Sequence, residues 1–139
     1  MSATNFLELK ILDLFFGSIP YTPPAIVYVG ISVSDPGETG SLAGEPVIGT
    51  GGYARVAVAN NSTNFPSASP KVNGVSIVFP SSMGAWAAGA NLTHFFLSDA
   101  ASAGNMLVSG SITSSPAKKV DGTGVTISFS PGGLQVSAD

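Results

Sequence analysis

The 139-residue chain has no cysteine, a single histidine, a single tryptophan and a single arginine, and only 9% of its residues are charged. Each scarcity excludes something. Without cysteine there are neither disulfides nor thiolate ligands, and the redox compartment is left open. One histidine, His94, is a poor basis for a zinc centre, which takes three or four protein ligands. Five basic residues against eight acidic ones, a formal net charge of −3, provide no basic stripe for phosphate contacts, so nucleic acid is not an expected partner. A charged fraction far below the usual value of about 25% leaves few charges to keep a free monomer soluble. The surface must rely on Ser, Thr, Asn and Gly, or be covered by other subunits. No apolar run is long enough to span a bilayer, and the one near the N-terminus carries Glu8, Lys10 and Asp13. With no basic leader or small-residue cleavage pattern, neither a signal peptide nor a membrane anchor is expected.

What is present begins with residues 5–16. At roughly 100° per residue a helix there puts Leu7, Ile11, Leu14 and Phe15 on one face and Leu9, Leu12 and Phe16 on another. Glu8 divides the faces on one flank, Lys10 and Asp13 on the other. A helix that covers one core needs one apolar stripe, so the second face asks for a second partner, from its own chain or from a neighbour. Asn5 with Glu8 has the form of a capping box, and Gly17 stands where a left-handed C-cap belongs.

The length suits one domain spanning 1–139. After an extended, proline-rich connector at 19–24, residues 25–33 alternate as a strand, with Val27, Val29, Ile31 and Val33 opposite Ile26, Tyr28, Gly30 and Ser32. A long loop at 38–50 precedes a strand at 53–59, and further strands are expected at 75–79, 92–98, 105–112, 124–130 and 134–137, with a short pairing at 118–120. Short strands between turn signals predict a mainly β fold: an antiparallel β-sandwich or jelly roll over 25–137 with one N-terminal α-helix.

Chemistry-bearing groups are thin. Asp99 is the one carboxylate near His94 along the chain, no serine sits in a G-x-S-x-G elbow, and the Gly49–Gly52 stretch lacks the lysine of a phosphate loop. Asp35 and Glu38 fall short of a calcium cage. No catalytic residue, metal or cofactor is therefore expected. Arg55 shares a strand side with Tyr53 and is expected to pair with a carboxylate across strands or across a subunit boundary. Trp86, in a small-residue loop, is a candidate interface anchor or a core residue.

A family resemblance rests on Phe6-Leu7-x-x-Lys10-Ile11-Leu12-Asp13, Tyr21-Thr22-Pro23-Pro24-Ala25-x-x-Tyr28-Val29-Gly30-x-Ser32, Asp35-Pro36-Gly37 and Gly51-Gly52-Tyr53-Ala54-Arg55-x-Ala57-Val58. In the second half it continues through Phe79-Pro80, Trp86, Thr93-His94-Phe95, Ser98-Asp99-Ala100, Gly104-Asn105-Met106-Leu107 and Gly110. The chain resembles small tailed-bacteriophage virion proteins commonly labelled phage tail fibre proteins. It departs from them at residues 83–91 and at Gly122-Thr123-Gly124, both in loops.

The resemblance implies a non-enzymatic virion protein that works by burying surface against neighbours. Neither heptads nor a repetitive strand pattern is present, so the expectation is a compact capsid decoration (cement) module, self-associating as a homotrimer and bound to the major capsid protein. The alternative is a tail-fibre or baseplate-associated module contacting the host surface. Leu9, Leu12, Phe16, Arg55 and Trp86 are the candidate interface residues.

Overall fold

A computed structural model of the chain describes residues 3–136. It is a mainly β, antiparallel fold with one N-terminal helix. The elements in order are α1 (Asn5–Phe16), β1 (Ile26–Ser32), β2 (Val56–Ala59), β3 (Lys71–Val72), β4 (Ile77–Val78), β5 (His94–Ser98), β6 (Met106–Ser111), β7 (Ser128–Phe129) and β8 (Gln135–Val136). A four-stranded sheet in the order β2-β1-β5-β6 is the largest unit, and two-stranded ladders β3-β8 and β4-β7 accompany it. β1 is central, pairing Val27 with Val58 on one side and Val29 with Leu97 on the other.

Alternation along β1 assigns the two faces of this sheet. The odd-numbered side carries Val27, Val29 and Ile31 with Phe95, Leu97 and Val108, and these join Tyr53, Ile77, Phe79, Trp86 and Phe129 in one apolar core. The second layer is built from the short ladders and loops more than from a second broad sheet. The even-numbered side carries Gly30, Ser32, Phe96 and Ser98, and is buried as well: Ser32, Phe96 and Ser98 are each at most 1% exposed. The long loop after β1 covers it, with the Val33 amide donating to the Gly44 carbonyl at 2.9 Å.

Several expectations shift. The strand foreseen at 53–59 begins at Val56, and those at 75–79 and 124–130 shrink to two residues each. Residues 118–120 form no strand; the Lys118 and Val120 carbonyls instead accept from the Leu92 and Trp86 amides. Of the strand foreseen at 134–137, Ser137 lies outside the described residues. The helix keeps its expected bounds but not its caps. Thr4 is the N-cap residue, and its hydroxyl donates to the Met106 and Leu107 carbonyls of β6 in place of capping the helix. Gly17 has φ −132°, and the left-handed residue is Ser18 at φ 51°. The Gly17 and Ile19 amides both donate to the Asp13 carbonyl, at 3.0 and 3.1 Å.

Candidate functional site

Helix α1 is tied to the body at its start and presents its far end to solvent. Ala3 bridges to Val108, the Thr4 amide donates to Leu107 O and the Asn5 amide to Glu38 O, each at 2.9 Å. Phe6 and Leu7 pack on the core. They are themselves only half-buried, and no residue of the helix is fully buried. Leu9 and Leu12 are each 54% exposed, Phe15 73% and Phe16 87%. The first apolar face was expected to lie on the protein's own core, but Ile11, Leu14 and Phe15 are exposed too. Ile11 and Leu14 face an open groove in place of a packed layer.

Between α1 and the rest of the chain runs an apolar groove of about 380 Å³, lined by Leu7, Ile11, Leu14, Tyr21, Leu107 and Val108 among others, with Lys10 and Lys71 the charged residues in its lining. Burial, and then the Asp99 carboxylate, holds the Tyr21 phenol above its ordinary pKa. The groove is therefore lined mainly by hydrocarbon, its polar residues being Lys10, Lys71, Tyr21 and Asn60, with no carboxylate among its lining residues.

Arg55 and Trp86, the other two candidates, are internal. The Arg55 side chain is fully buried and pairs with Glu45 through two bonds, Nε to Oε1 at 2.8 Å and Nη2 to Oε2 at 2.7 Å. Its remaining reach goes to Ser98 Oγ and to the Ala100 and Ala103 carbonyls. The guanidinium lies 5.1 Å over the Phe96 ring. Tyr53 donates its hydroxyl to Glu45 Oε1 at 2.9 Å and accepts from the Ile31 amide. Its phenol is pushed far above the ordinary value, by burial first and the Glu45 carboxylate second. A subunit-boundary role for Arg55 does not fit this geometry, because its carboxylate partner comes from the protein's own long loop. Trp86 is 0% exposed, donates Nε1–H to Gly51 O at 2.8 Å and meets Tyr53 edge-on at 5.1 Å. It anchors the core and offers no surface to a partner.

The polar side chains Asp35, Glu38, His94, Ser109 and Ser111 line one pocket of about 220 Å³. His94 Nε2 lies 3.7 Å from Asp35 Oδ1, and Nδ1 lies 2.9 Å from Thr93 Oγ1. Asp99 does not hold His94; it accepts from the Asn105 amide and side chain at 2.7 and 2.8 Å and closes the β5–β6 turn. Among the described residues no group of three or more His, Cys, Asp or Glu is placed to hold a metal ion, and no helix is long and apolar enough to cross a membrane.

The groups that sequence reasoning missed are Glu45 and the groove. A lone buried arginine requires a carboxylate, but the pattern around residue 45 says only that it lies in a loop.

A family model described as podophage GP4 fiber I protein gp80 matches residues 2–137. The chain belongs to this family. It is accordingly a phage virion component of the fibre type. A comparison with curated proteins gives no match.

Proposed function

We propose that the protein is a non-enzymatic structural module of a podophage fibre, and that it works by burying the apolar surface of α1 against neighbouring virion subunits. The observation that carries this reading is the row of exposed Leu9, Leu12, Phe15 and Phe16 on a helix clamped only at its start. Membership of a fibre-protein family favours the fibre over the capsid-decoration expectation. A charge-poor chain with a large exposed apolar patch is suited to permanent assembly, where that patch is removed from water. Homo-oligomerisation, with three copies the expected number, belongs to this reading. No enzymatic role belongs to this reading: His94 and Asp35 share a small polar pocket with Glu38, Ser109 and Ser111, but the hydroxyl bonded to His94 is that of its neighbour Thr93.

Quantitative mass spectrometry of purified particles, with the major capsid protein as internal standard, tests the location. A copy number at the level of tail components supports the fibre. A count comparable to the capsid protein would overturn it in favour of decoration.

A further inference from the structure

The groove and the exposed helix stripe lie on opposite sides of α1. At 100° per residue, Leu7, Lys10, Ile11 and Leu14 cluster toward the groove, and Leu9, Leu12 and Phe16 point roughly 180° away. No protomer can therefore seat its own stripe in its own groove. The two surfaces are nevertheless matched. The groove has about 380 Å³, which at interior packing density is roughly room for two Phe-sized side chains. Its charged lining residues are Lys10 and Lys71. The stripe is flanked by carboxylates, Glu8 one turn before Leu12 and Asp13 one turn after Leu9, and neither forms an ion pair among the described residues.

We propose that the occupant of the groove is a second copy of this chain, bound head-to-tail, with Leu9, Leu12 and Phe16 of one protomer lying in the groove of the next. Glu8 and Asp13 then approach Lys10 and Lys71 across the contact. The inference rests on α1 being an assembly surface. The stripe of Leu9, Leu12 and Phe16 exposes on the order of 400 Å², as large as the largest apolar patch of a typical monomer, and the polar flanks around it would supply the rest of the ~800 Å² per partner of a standard interface. Because stripe and groove are different patches, the contact is heterologous and continues as a closed ring or a filament.

The test uses the full chain and two variants at exposed positions, Phe16→Glu, which spoils the stripe, and Leu14→Lys, which spoils the groove. Far-UV circular dichroism and melting temperature establish that each is folded; Leu12→Glu and Ile11→Lys replace either one that is not. Sedimentation equilibrium should show the wild type as an oligomer. Each variant alone should be monomeric, its self-association at least ~30-fold weaker, as for loss of a hot-spot anchor. An equimolar mixture should form dimers and nothing larger, since the intact stripe of one variant meets the intact groove of the other. A mixture that stays monomeric overturns the head-to-tail contact, and so does a wild type that is monomeric up to its solubility limit. Incorporation of Phe16→Glu into phage particles separates the two levels. If the wild type is monomeric but incorporation still needs Phe16, α1 serves a different virion partner and only self-docking fails. If both proteins incorporate equally, α1 is not an assembly surface at all.

Discussion

Gly30→Ala is the sharpest perturbation of the buried scaffold. Gly30 lies in the central strand opposite Phe96 of β5. A Cβ built on it would stand 2.2 Å from one ring carbon of Phe96 and 2.6 and 2.7 Å from two others. The ring also carries the Arg55 guanidinium 5.1 Å from its centroid, itself held by Glu45, Ser98 and two carbonyls. Glycine here makes room for an aromatic ring lying across the strand, and an added methyl must push the ring, the arginine or the sheet.

Overpacking of a filled core costs about 1–3 kcal/mol, and loosening the cation–π contact adds roughly 0.5–2 kcal/mol. The reduced entropy of the unfolded chain returns about 0.4–1 kcal/mol. The net expectation is a loss of about 2–3 kcal/mol. At ~2.1 cal/mol/K per residue the unfolding entropy of this chain is about 0.3 kcal/mol/K, so the melting temperature should fall by roughly 7–10 °C. Calorimetry or thermal circular dichroism reads this directly. Gly122→Ala is the control, because nothing lies within 4 Å of its Cβ position, and it should stay within about 0.5 kcal/mol of wild type. Combining Gly30→Ala with Phe96→Leu should be less damaging than the sum of the two by at least ~1 kcal/mol, since the smaller side chain vacates the space. A Gly30→Ala protein melting within 2 °C of wild type, or strict additivity in the double variant, on the order of the error in such cycles, refutes the ring-on-glycine account.

Arg55→Met should cost about 3–5 kcal/mol, because it strands the Glu45 carboxylate in a buried site; urea unfolding should give the same loss in low and high salt, as a buried pair is little screened. For Tyr53 the pKa raised by folding means that the folded state holds its proton more tightly than the unfolded chain, whose phenol titrates near 10.0. The Tyr53 contribution to stability is therefore fully present below that pH and is lost progressively above it; denaturant midpoints between pH 8 and 11 should fall less steeply in Tyr53→Phe than in wild type. Trp86 fluorescence should resist acrylamide quenching in the free protein and change little on assembly, because the indole is already enclosed by Tyr53, Phe79 and Gly51. A marked change on assembly would return Trp86 to the interface.

What the sequence made legible was local. The bounds of α1 follow from an apolar pattern stopped by Gly17 and the prolines at 20, 23 and 24, and β1 from strict alternation of β-branched residues. The caps were misassigned because Thr4 is recruited by β6, a pairing 102 residues away that no local signal announces. For the same reason the choice between an internal pair and a subunit boundary for Arg55, and between core and interface for Trp86, stayed open. Their partners, Glu45 from a loop and Gly51 from a glycine-rich turn, arrive through tertiary packing, and a composition so low in charge gave no hint that the sole arginine would be spent inside. The strands expected at 75–79 and 124–130 were overextended, and the one at residues 71–72 was missed, because backbone bonds here are shared with loops, as where Asn73 accepts from the Leu134 amide and donates to the Val75 and Ser130 carbonyls.

The division of labour between the two ends of α1 follows from where charge and apolar area are placed. Most proteins spend charge outside and hydrocarbon inside; here the one arginine is buried while Phe16 is 87% exposed. Burying the Arg55–Glu45 pair contributes less to net stability than an apolar core of equal volume would, but it ties the long loop, the start of β2 and the β5–β6 turn to one point. That loop supplies the Glu38 carbonyl that receives the Asn5 amide. The helix is thus held at its start by the body, while Leu9, Leu12, Phe15 and Phe16 stay exposed further along. A 12-residue helix is marginal in water on its own, so covering Leu9, Leu12 and Phe16 would order the helix and remove its apolar surface from water in the same step.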